Sequence, residues 1–219
     1  MKINIAIDGP SAAGKSTIAK MLAKKLGYSH LDTGAMYRCV AYQSVRLGID
    51  QNDEAALAAM IDSMSIDFDS DGHVFINHED VSTQIRENQI SMVASNISVF
   101  PSVRERLVQM QREIAKNKGY IMDGRDIGTV VLPDAELKVF MIASVEARAK
   151  RRYEEYLQKG IEADFKTIYE DIEKRDYQDT HRLTSPLKKA TDAVEIDTSD
   201  MSIEEVHRAI EQLLEALNK

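Results

Sequence analysis

Residues 3–17, INIAIDGPSAAGKST, restrict the fold of this 219-residue chain more than any other stretch. Ile3, Ile5 and Ile7 form an apolar run too short for a helix, which predicts a buried parallel strand. Beyond the glycine-rich turn, Ile18 and Leu22 recur at helical spacing. A strand, such a turn and a helix in this order surround an anion with backbone N–H groups and a helix N-terminus.

The turn has the sequence motif Gly9-x-x-x-x-Gly14-Lys15-Ser16, which predicts a P-loop that binds ATP. We expect Lys15 to bridge the β- and γ-phosphates and the Ser16 hydroxyl to bind Mg²⁺. The predicted ATP-binding residues are Gly9, Pro10, Ser11, Ala12, Ala13, Gly14, Lys15, Ser16 and Thr17. We call this segment the phosphate loop.

Strand-like and helix-like stretches alternate along the chain. YSHLD, YIMD, ELKVFMIA and AVEID read as further strands between amphipathic helices, which predicts an α/β fold with a mainly parallel sheet covered on both faces. Between about residues 63 and 96 the pattern changes to a hairpin about an Asp71-Gly72 turn, inside an apparent insertion. Polar helices are predicted at Val145–Lys159 and about Phe165–Arg182, and Ser202 with Glu205 predicts a capping box for the final helix.

Composition narrows the function classes. The net charge of −8 argues against broad binding to nucleic acid. The sequence contains no run of 18 consecutive apolar residues, which is the length that would predict a membrane span. The N-terminus does not resemble a signal peptide. Cys39 is the only cysteine, which excludes an internal disulfide framework or a multi-cysteine zinc site. We expect Cys39 to be buried in a helix and the protein to be a cytoplasmic monomer.

Other classes of P-loop protein fit less well. A GTPase needs Asn-Lys-x-Asp, but Tyr120 follows Asn117, Lys118 and Gly119. Motor and AAA-type ATPases usually end an apolar strand with an acidic pair, whereas here Asp123 is followed by glycine. A small-molecule kinase needs a second pocket, rich in arginine, for an anionic acceptor.

Three groups of residues meet that need. Thr33, Tyr37 and Arg38 follow the second predicted strand, and Thr33 could cap the helix that begins near Gly34. Asp123, Arg125 and Asp126 follow a strand at its carboxyl end, the usual ligand side of such sheets. In the polar helices, Arg148, Arg151 and Arg152 share one face, as do Arg175, Asp179 and Arg182. A helix cap, a surface turn and a solvated salt-bridged helical hairpin are the alternative interpretations of the three groups.

The chain resembles bacterial cytidylate (CMP) kinases over essentially its whole length. DGPSAAGKST, LDTGAMYR, FPSVRE, DGRDIGTVV and KRDYQDTHR occur in the order and approximate spacing of that family. The resemblance implies transfer of the γ-phosphoryl group of ATP to CMP or dCMP. It also implies a single domain with three parts: a core (1–62, 97–147 and 183–219), an insertion that binds the nucleoside monophosphate (about 63–96) and a helical lid (about 148–182).

The resemblance also assigns roles by position. Thr33, Arg104 and Asp126 match the residues that read cytosine, and Arg38, Arg125 and Arg182 match those that hold the acceptor phosphate. Ser95, Arg175 and Asp179 match the sugar contacts. Tyr37 and Asp123 complete the expected CMP site, and Lys15, Arg148, Arg151 and Arg152 are the expected catalytic residues, acting with Mg²⁺.

Two other functions stay open on the sequence. A related P-loop kinase could phosphorylate a different monophosphate or shikimate. A regulator could bind ATP without turnover, and it would need no acceptor pocket.

Overall fold

The structure, a computed structural model, describes residues 2–69 and 72–217. Its strands are β1 (Ile5–Asp8), β2 (Ser29–Asp32), β3 (Ile66–Phe68), β4 (Val74–Ile76), β5 (Glu79–Asp80), β6 (Tyr120–Gly124), β7 (Leu137–Ile142) and β8 (Val194–Asp197). Its α-helices are α1 (Lys15–Leu26), α2 (Thr33–Arg46), α3 (Glu54–Asp62), α4 (Asn88–Ile97), α5 (Pro101–Ala115), α6 (Val145–Gln158), α7 (Phe165–His181) and α8 (Ile203–Leu217). A 3₁₀ turn spans Gln84–Arg86, and a single π-helical turn spans Ile127–Val131.

The chain packs as two compact units. The first unit contains residues 1–28 and 118–219, and the second contains residues 29–117. Each unit is described separately below.

Parallel strands form the centre of the first unit. They lie in the order β6-β1-β7-β8, with Ile7 beside Asp123 on one side and beside Val139 on the other. All four residues of β1 are buried, as expected for a central parallel strand. The structure therefore confirms the predicted α/β class and mainly parallel sheet.

The core of the first unit joins these strands to α1 and α8. Ile18 and Leu22 of α1 lie in one apolar cluster with Ile210 and Leu214 of α8. The predicted capping box is present, because the Ser202 N–H donates to Glu205 Oε2 at 2.8 Å and the Glu205 N–H donates to Ser202 Oγ at 3.3 Å. The start of α8 is thus set by local sequence.

The predicted polar helices are confirmed to within one residue as α6 and α7. They pack against each other through a small cluster that contains Ala149, Ile168 and Ile172. Among residues 2–69 and 72–217, no helix combines the length and apolar character that crossing a membrane requires.

The second unit contains α2 to α5 and a small antiparallel sheet in the order β3-β4-β5. Ile66 pairs with Ile76, which confirms the strands of the predicted hairpin. Asp71, at the predicted turn, lies outside the described residues. Within this unit, α4 adds a helix where the sequence pattern gave no clear prediction. Cys39 is fully buried in α2, as expected.

Candidate active site

The phosphate loop joins β1 to α1 in the first unit. Gly9 has φ +150°, and a Cβ atom there would lie 2.0 Å from the Met141 carbonyl oxygen. Gly14 has φ +91° and is the N-cap of α1. Only glycine fits the space at position 9, so the loop can pass close to β7 and present its N–H groups at the start of a helix.

Lys15 is buried in the first turn of α1, and its Nζ donates to the Pro10 carbonyl at 2.6 Å. Burial, together with the nearby Arg125 guanidinium, lowers the pKa of Lys15 to about 7, although Asp123, Asp8 and Asp179 favour its charged form. Polyphosphate beside this ammonium would favour the charged form further. Lys15 and Arg125 therefore interact electrostatically within one unit.

Ser16 lies next to a carboxylate. Its Oγ donates to Asp123 Oδ2 at 2.6 Å, and Asp123 is buried near the carboxyl end of β6. A hydroxyl and a carboxylate are hard oxygen donors, the chemistry that Mg²⁺ prefers. These residues therefore fit the magnesium site expected beside the phosphate loop.

The Ser11 side chain is a further polar group of the loop. Its hydroxyl is buried and has no hydrogen-bond partner within residues 2–69 and 72–217. Because buried polar atoms in proteins are normally hydrogen-bonded, this hydroxyl is suited to a bound polar ligand.

An arginine cluster, defined as Arg125, Asp126, Asp179 and Arg182, lies in the same unit. Arg125 Nε donates to Asp179 Oδ2 at 2.7 Å. Arg182 has Nη1 3.9 Å from Asp179 Oδ1 and Nη2 3.6 Å from Asp126 Oδ1. The structure thus brings together residues from the DGRD segment and from the end of α7.

Three arginines stabilise the charged form of Asp179. Burial tends to raise the pKa of this carboxyl, but Arg125, Arg175 and Arg182 outweigh it and hold the pKa below its usual value. Arg182 follows the last residue of α7 with extended backbone, so it is not on the helix as its spacing predicted. Guanidinium groups that exceed their carboxylate partners can bind a phosphate in a bidentate manner.

The arginines predicted on α6 have partners inside the protein. Arg148 is buried, donates to both oxygens of Asp176, with Nη1 3.0 Å from Oδ1, and reaches the Ser11 carbonyl at 3.3 Å. Arg151 Nη1 donates to Thr198 Oγ1 at 3.2 Å. Arg152 is half-buried on the same helix. Arg148 therefore connects the helical hairpin to the phosphate loop.

In the second unit, the start of α2 corrects one prediction. The N-cap is Asp32, whose Oδ1 accepts from the Ala35 N–H at 3.0 Å, and not Thr33 as predicted. Asp32 also binds Arg38, with Oδ2 2.7 Å from Nη2. Thr33 is buried, and the Arg38 Nε is buried without a hydrogen-bond partner among the described residues. Asp32 therefore caps α2, and Thr33 is the first residue of that helix.

The remaining predicted residues of the second unit lie around α5. Arg104 is buried, its Nη1 donates to the Ser98 carbonyl at 3.1 Å, and its guanidinium lies 5.4 Å from the centre of the Tyr37 ring. The structure thus brings Tyr37 and Arg104 together. Ser95 lies on α4, and its Oγ atom is buried.

Sequence reasoning missed two carboxylates that bind backbone N–H groups next to predicted site residues. Asp32 is one, and Asp8 is the other: its carboxylate accepts from the N–H groups of Ile127 and Gly128, each at 2.7 Å. Burial raises the pKa of Asp8 to about 6, against the lowering effect of these N–H groups. The available signals were an acid that ends an apolar buried strand and an aspartate that precedes a helix.

Comparison with known proteins decides between the possible kinase classes. The sequence profile described as cytidylate kinase matches residues 5–219. The chain belongs to the cytidylate kinase family. A cytidylate kinase of Streptococcus mutans is 51% identical over 97% of this chain and 96% of its own length. One of Lactobacillus johnsonii is 49% identical over 99% and 96% of the two chains.

Solved structures of other kinases share the fold of this protein. A gluconokinase from Sinorhizobium meliloti aligns with a TM-score of 0.51 at 13% identity, over 99% of this chain and 96% of that chain. A shikimate kinase from Bacteroides thetaiotaomicron aligns with a TM-score of 0.50 at 13% identity, over 98% and 99%. At this identity the similarity supports the P-loop kinase fold alone.

Proposed function

We propose that this protein transfers the γ-phosphoryl group of ATP to CMP or dCMP and so forms CDP or dCDP. The observation that carries this proposal lies in the first unit, where Ser16 Oγ of the phosphate loop donates to Asp123 Oδ2 at 2.6 Å, two residues before Arg125 of the arginine cluster. A donor phosphate held by the loop and an acceptor phosphate held by the guanidinium groups would therefore be neighbours. Membership of the cytidylate kinase family supports cytidine as the acceptor nucleoside.

The residue assignments follow the same proposal. Arg38, Arg125 and Arg182 hold the acceptor phosphate, while Ser95, Arg175 and Asp179 contact the sugar. Thr33, Arg104 and Asp126 bind the cytosine ring, and Tyr37 supports Arg104 through the contact of its ring with the guanidinium. The three-part division into core, insertion and lid stays a prediction, as do the monomeric state and the cytoplasmic location.

The chemistry needs positioning more than proton transfer. The acceptor phosphate is already an ionised nucleophile, so no general base is required, and catalysis consists of alignment and charge neutralisation. Mg²⁺, which Ser16 and Asp123 would hold, neutralises charge on the β- and γ-phosphates when bound. Lys15 and the arginines of α6, which are Arg148, Arg151 and Arg152, share the remaining charge that develops on the equatorial oxygens of the transferred group.

Arg148 contributes through its place in the fold. Its guanidinium joins Asp176 on α7 to the Ser11 carbonyl of the phosphate loop. Any movement of α6 and α7 over bound nucleotides would therefore displace a side chain that contacts the phosphate loop. Such closure excludes water, which suppresses wasteful hydrolysis of ATP.

An acceptor panel tests the proposed function. Purified protein is mixed with Mg·ATP and with CMP, dCMP, UMP, AMP or shikimate, and release of ADP is followed. We expect kcat/KM to be highest for CMP or dCMP and turnover to be negligible without an acceptor. A maximal rate with shikimate or AMP would indicate another small-molecule kinase. Binding of ATP with no acceptor-dependent ADP release would indicate a regulator.

Selection of cytosine gives a sharper prediction. Cytosine presents an amino donor at N4 where uracil presents an acceptor, and a carboxylate suits the donor. The change Asp126→Asn should lower the ratio of kcat/KM for CMP to that for UMP by about tenfold, the effect of one buried group losing its partner. Asp164→Asn, which changes an exposed cap of α7 at the Thr167 N–H and keeps a good capping residue, is the control and should leave the ratio unchanged. Equal ratios in the wild type and in Asp126→Asn would contradict this role of Asp126.

A further inference from the structure

The turn that follows Asp126 is held in an unusual way. Asp126 is the N-cap residue of the π-helical turn Ile127–Val131, and its side chain makes no capping hydrogen bond. An aspartate at such a position normally folds back on the first free N–H groups of its own turn. The free N–H groups here must therefore be satisfied from elsewhere, because they are buried.

Asp8 satisfies them from the neighbouring strand. Its Oδ1 accepts from the Ile127 N–H and its Oδ2 accepts from the Gly128 N–H, both at 2.7 Å. Asp8 is the last residue of β1 and is 5% exposed. A single side chain thus connects the strand before the phosphate loop to the turn after Asp126.

The fit between Asp8 and this turn is close. A Cβ atom on Gly128 would lie 3.2 Å from Lys138 Cδ and 3.3 Å from Asp8 Oδ2, both tighter than most side-chain contacts. The backbone of Asp126 is fixed on its other side, since its carbonyl accepts from the Val130 N–H at 2.8 Å. Both oxygens of Asp8 are used by N–H groups, whereas Asp123 is the carboxylate that contacts Ser16.

We propose that Asp8 is a positioning residue for base selection: by capping Ile127 and Gly128 it keeps the Asp126 side chain from capping its own turn, so that Asp126 can bind the cytosine ring. This inference rests on the proposed function. Without the carboxylate of Asp8, Asp126 is the side chain that its N-cap position best suits to accept from the two N–H groups. The Asp126 side chain would then cap its own turn, as aspartates at helix starts usually do, and would leave the base.

The test uses Asp8→Asn in the full-length protein, with steady-state kinetics for CMP, UMP and ATP. Asparagine keeps one acceptor oxygen but turns an NH₂ group toward the second N–H. We expect KM for CMP to rise about tenfold or more and the CMP-to-UMP ratio of kcat/KM to fall about fivefold or more, because a buried donor loses its partner. KM for ATP should rise less than KM for CMP, because Asp8 acts on Lys15 through charge alone, whereas it binds the Ile127 and Gly128 N–H groups directly. Glu136→Gln, which weakens another carboxylate bond to a buried backbone N–H, that of Asn4 at 2.9 Å, should change none of these values.

A double variant tests whether Asp8 acts through Asp126. If it does, Asp8→Asn should lower base selectivity no further once Asp126→Asn is present, whereas an effect of Asp8 on the base by another route would add to the loss. A general loss of stability lowers kcat/KM for CMP and UMP alike and leaves their ratio unchanged. If Asp8→Asn does not fold, Gly128→Ala decides the question, because it crowds the same hydrogen bond while both carboxylates remain. It should raise KM for CMP about threefold or more.

The outcomes are distinct. Wild-type protein that leaves CMP unphosphorylated overturns the proposed function and the role of Asp8 with it. Active wild-type protein, together with a folded Asp8→Asn variant of unchanged CMP affinity and base selectivity, overturns the role of Asp8 alone. The same holds for additive effects in the double variant, or for an unaffected Gly128→Ala variant where Asp8→Asn is unfolded.

Discussion

Single carboxylates organise the functional residues of both units. Asp8 holds the turn after Asp126, Asp123 contacts Ser16, and Asp179 lies against Arg125. In the second unit, Asp32 caps α2 and binds Arg38. Each of these aspartates fixes the direction of a group assigned to a nucleotide, and such positioning helps to align two anionic substrates.

The ion pair of Asp32 predicts a pH-dependent stability. Burial alone would raise the pKa of Asp32, but Arg38 and His30 outweigh it and lower the pKa to about 2. Because the folded pKa is below the unfolded value, the carboxylate stabilises the protein above pH 4 and this contribution is lost as the pH falls toward 2. Asp32→Asn keeps a capping side chain, so at pH 7 it should lower the free energy of unfolding by about 2 kcal/mol, and about half of that loss should be gone at pH 3.

Urea unfolding of the wild type and the variant at pH 7 and at pH 3 measures this difference. Asp53→Asn is the matched control, because Asp53 caps α3 through the Ala56 N–H at 2.9 Å and asparagine caps about as well. Its loss should stay below about 0.5 kcal/mol. Similar losses for the two variants at pH 7 would show that the pair with Arg38 does not stabilise the fold.

At the scale of elements, the phosphate loop is fixed by space as well as by hydrogen bonds. Gly9 and Gly27 flank the loop and α1, and both have positive φ, +150° and +64°. They differ in their surroundings. A Cβ atom at position 9 would overlap the Met141 carbonyl of β7, whereas no described atom lies within 4 Å of one at position 27.

This contrast gives a matched pair of variants. Gly27→Ala should cost about 1 kcal/mol, the strain of a left-handed alanine. Gly9→Ala should destabilise the protein by more than about 3 kcal/mol or abolish ATP binding, because backbone would have to move. Urea unfolding and a titration with ATP report the two effects. Equal, small effects at both positions would mean that the loop does not depend on close packing against β7.

Much of the fold could be predicted because the evidence for each element is local. The strands and helices of the first unit follow from apolar runs, helical spacing and the capping box of α8, and α6 and α7 agree with prediction to within one residue. The P-loop and arginine residues could be proposed because their types and spacing define their chemistry.

The remaining features depend on tertiary neighbours. Thr33 and Asp32 are both good N-cap residues, so the sequence could not decide which one caps α2. The π-helical turn has no repeating pattern, and the pairing of Arg148 with Asp176 requires that α6 and α7 pack in register. Asp8 looks like an ordinary strand end until the N–H groups of Ile127 and Gly128 are seen beside it.

For the whole molecule, phosphorylation of CMP at the expense of ATP is tested most directly by following the phosphorus atoms. Phosphorus NMR of the purified protein with Mg·ATP and CMP should show the α- and β-phosphates of CDP appearing at the rate at which the γ-phosphate of ATP disappears, with ADP in equal amount. Loss of the γ-phosphate into inorganic phosphate, with CMP unchanged, would contradict direct transfer between the two nucleotides.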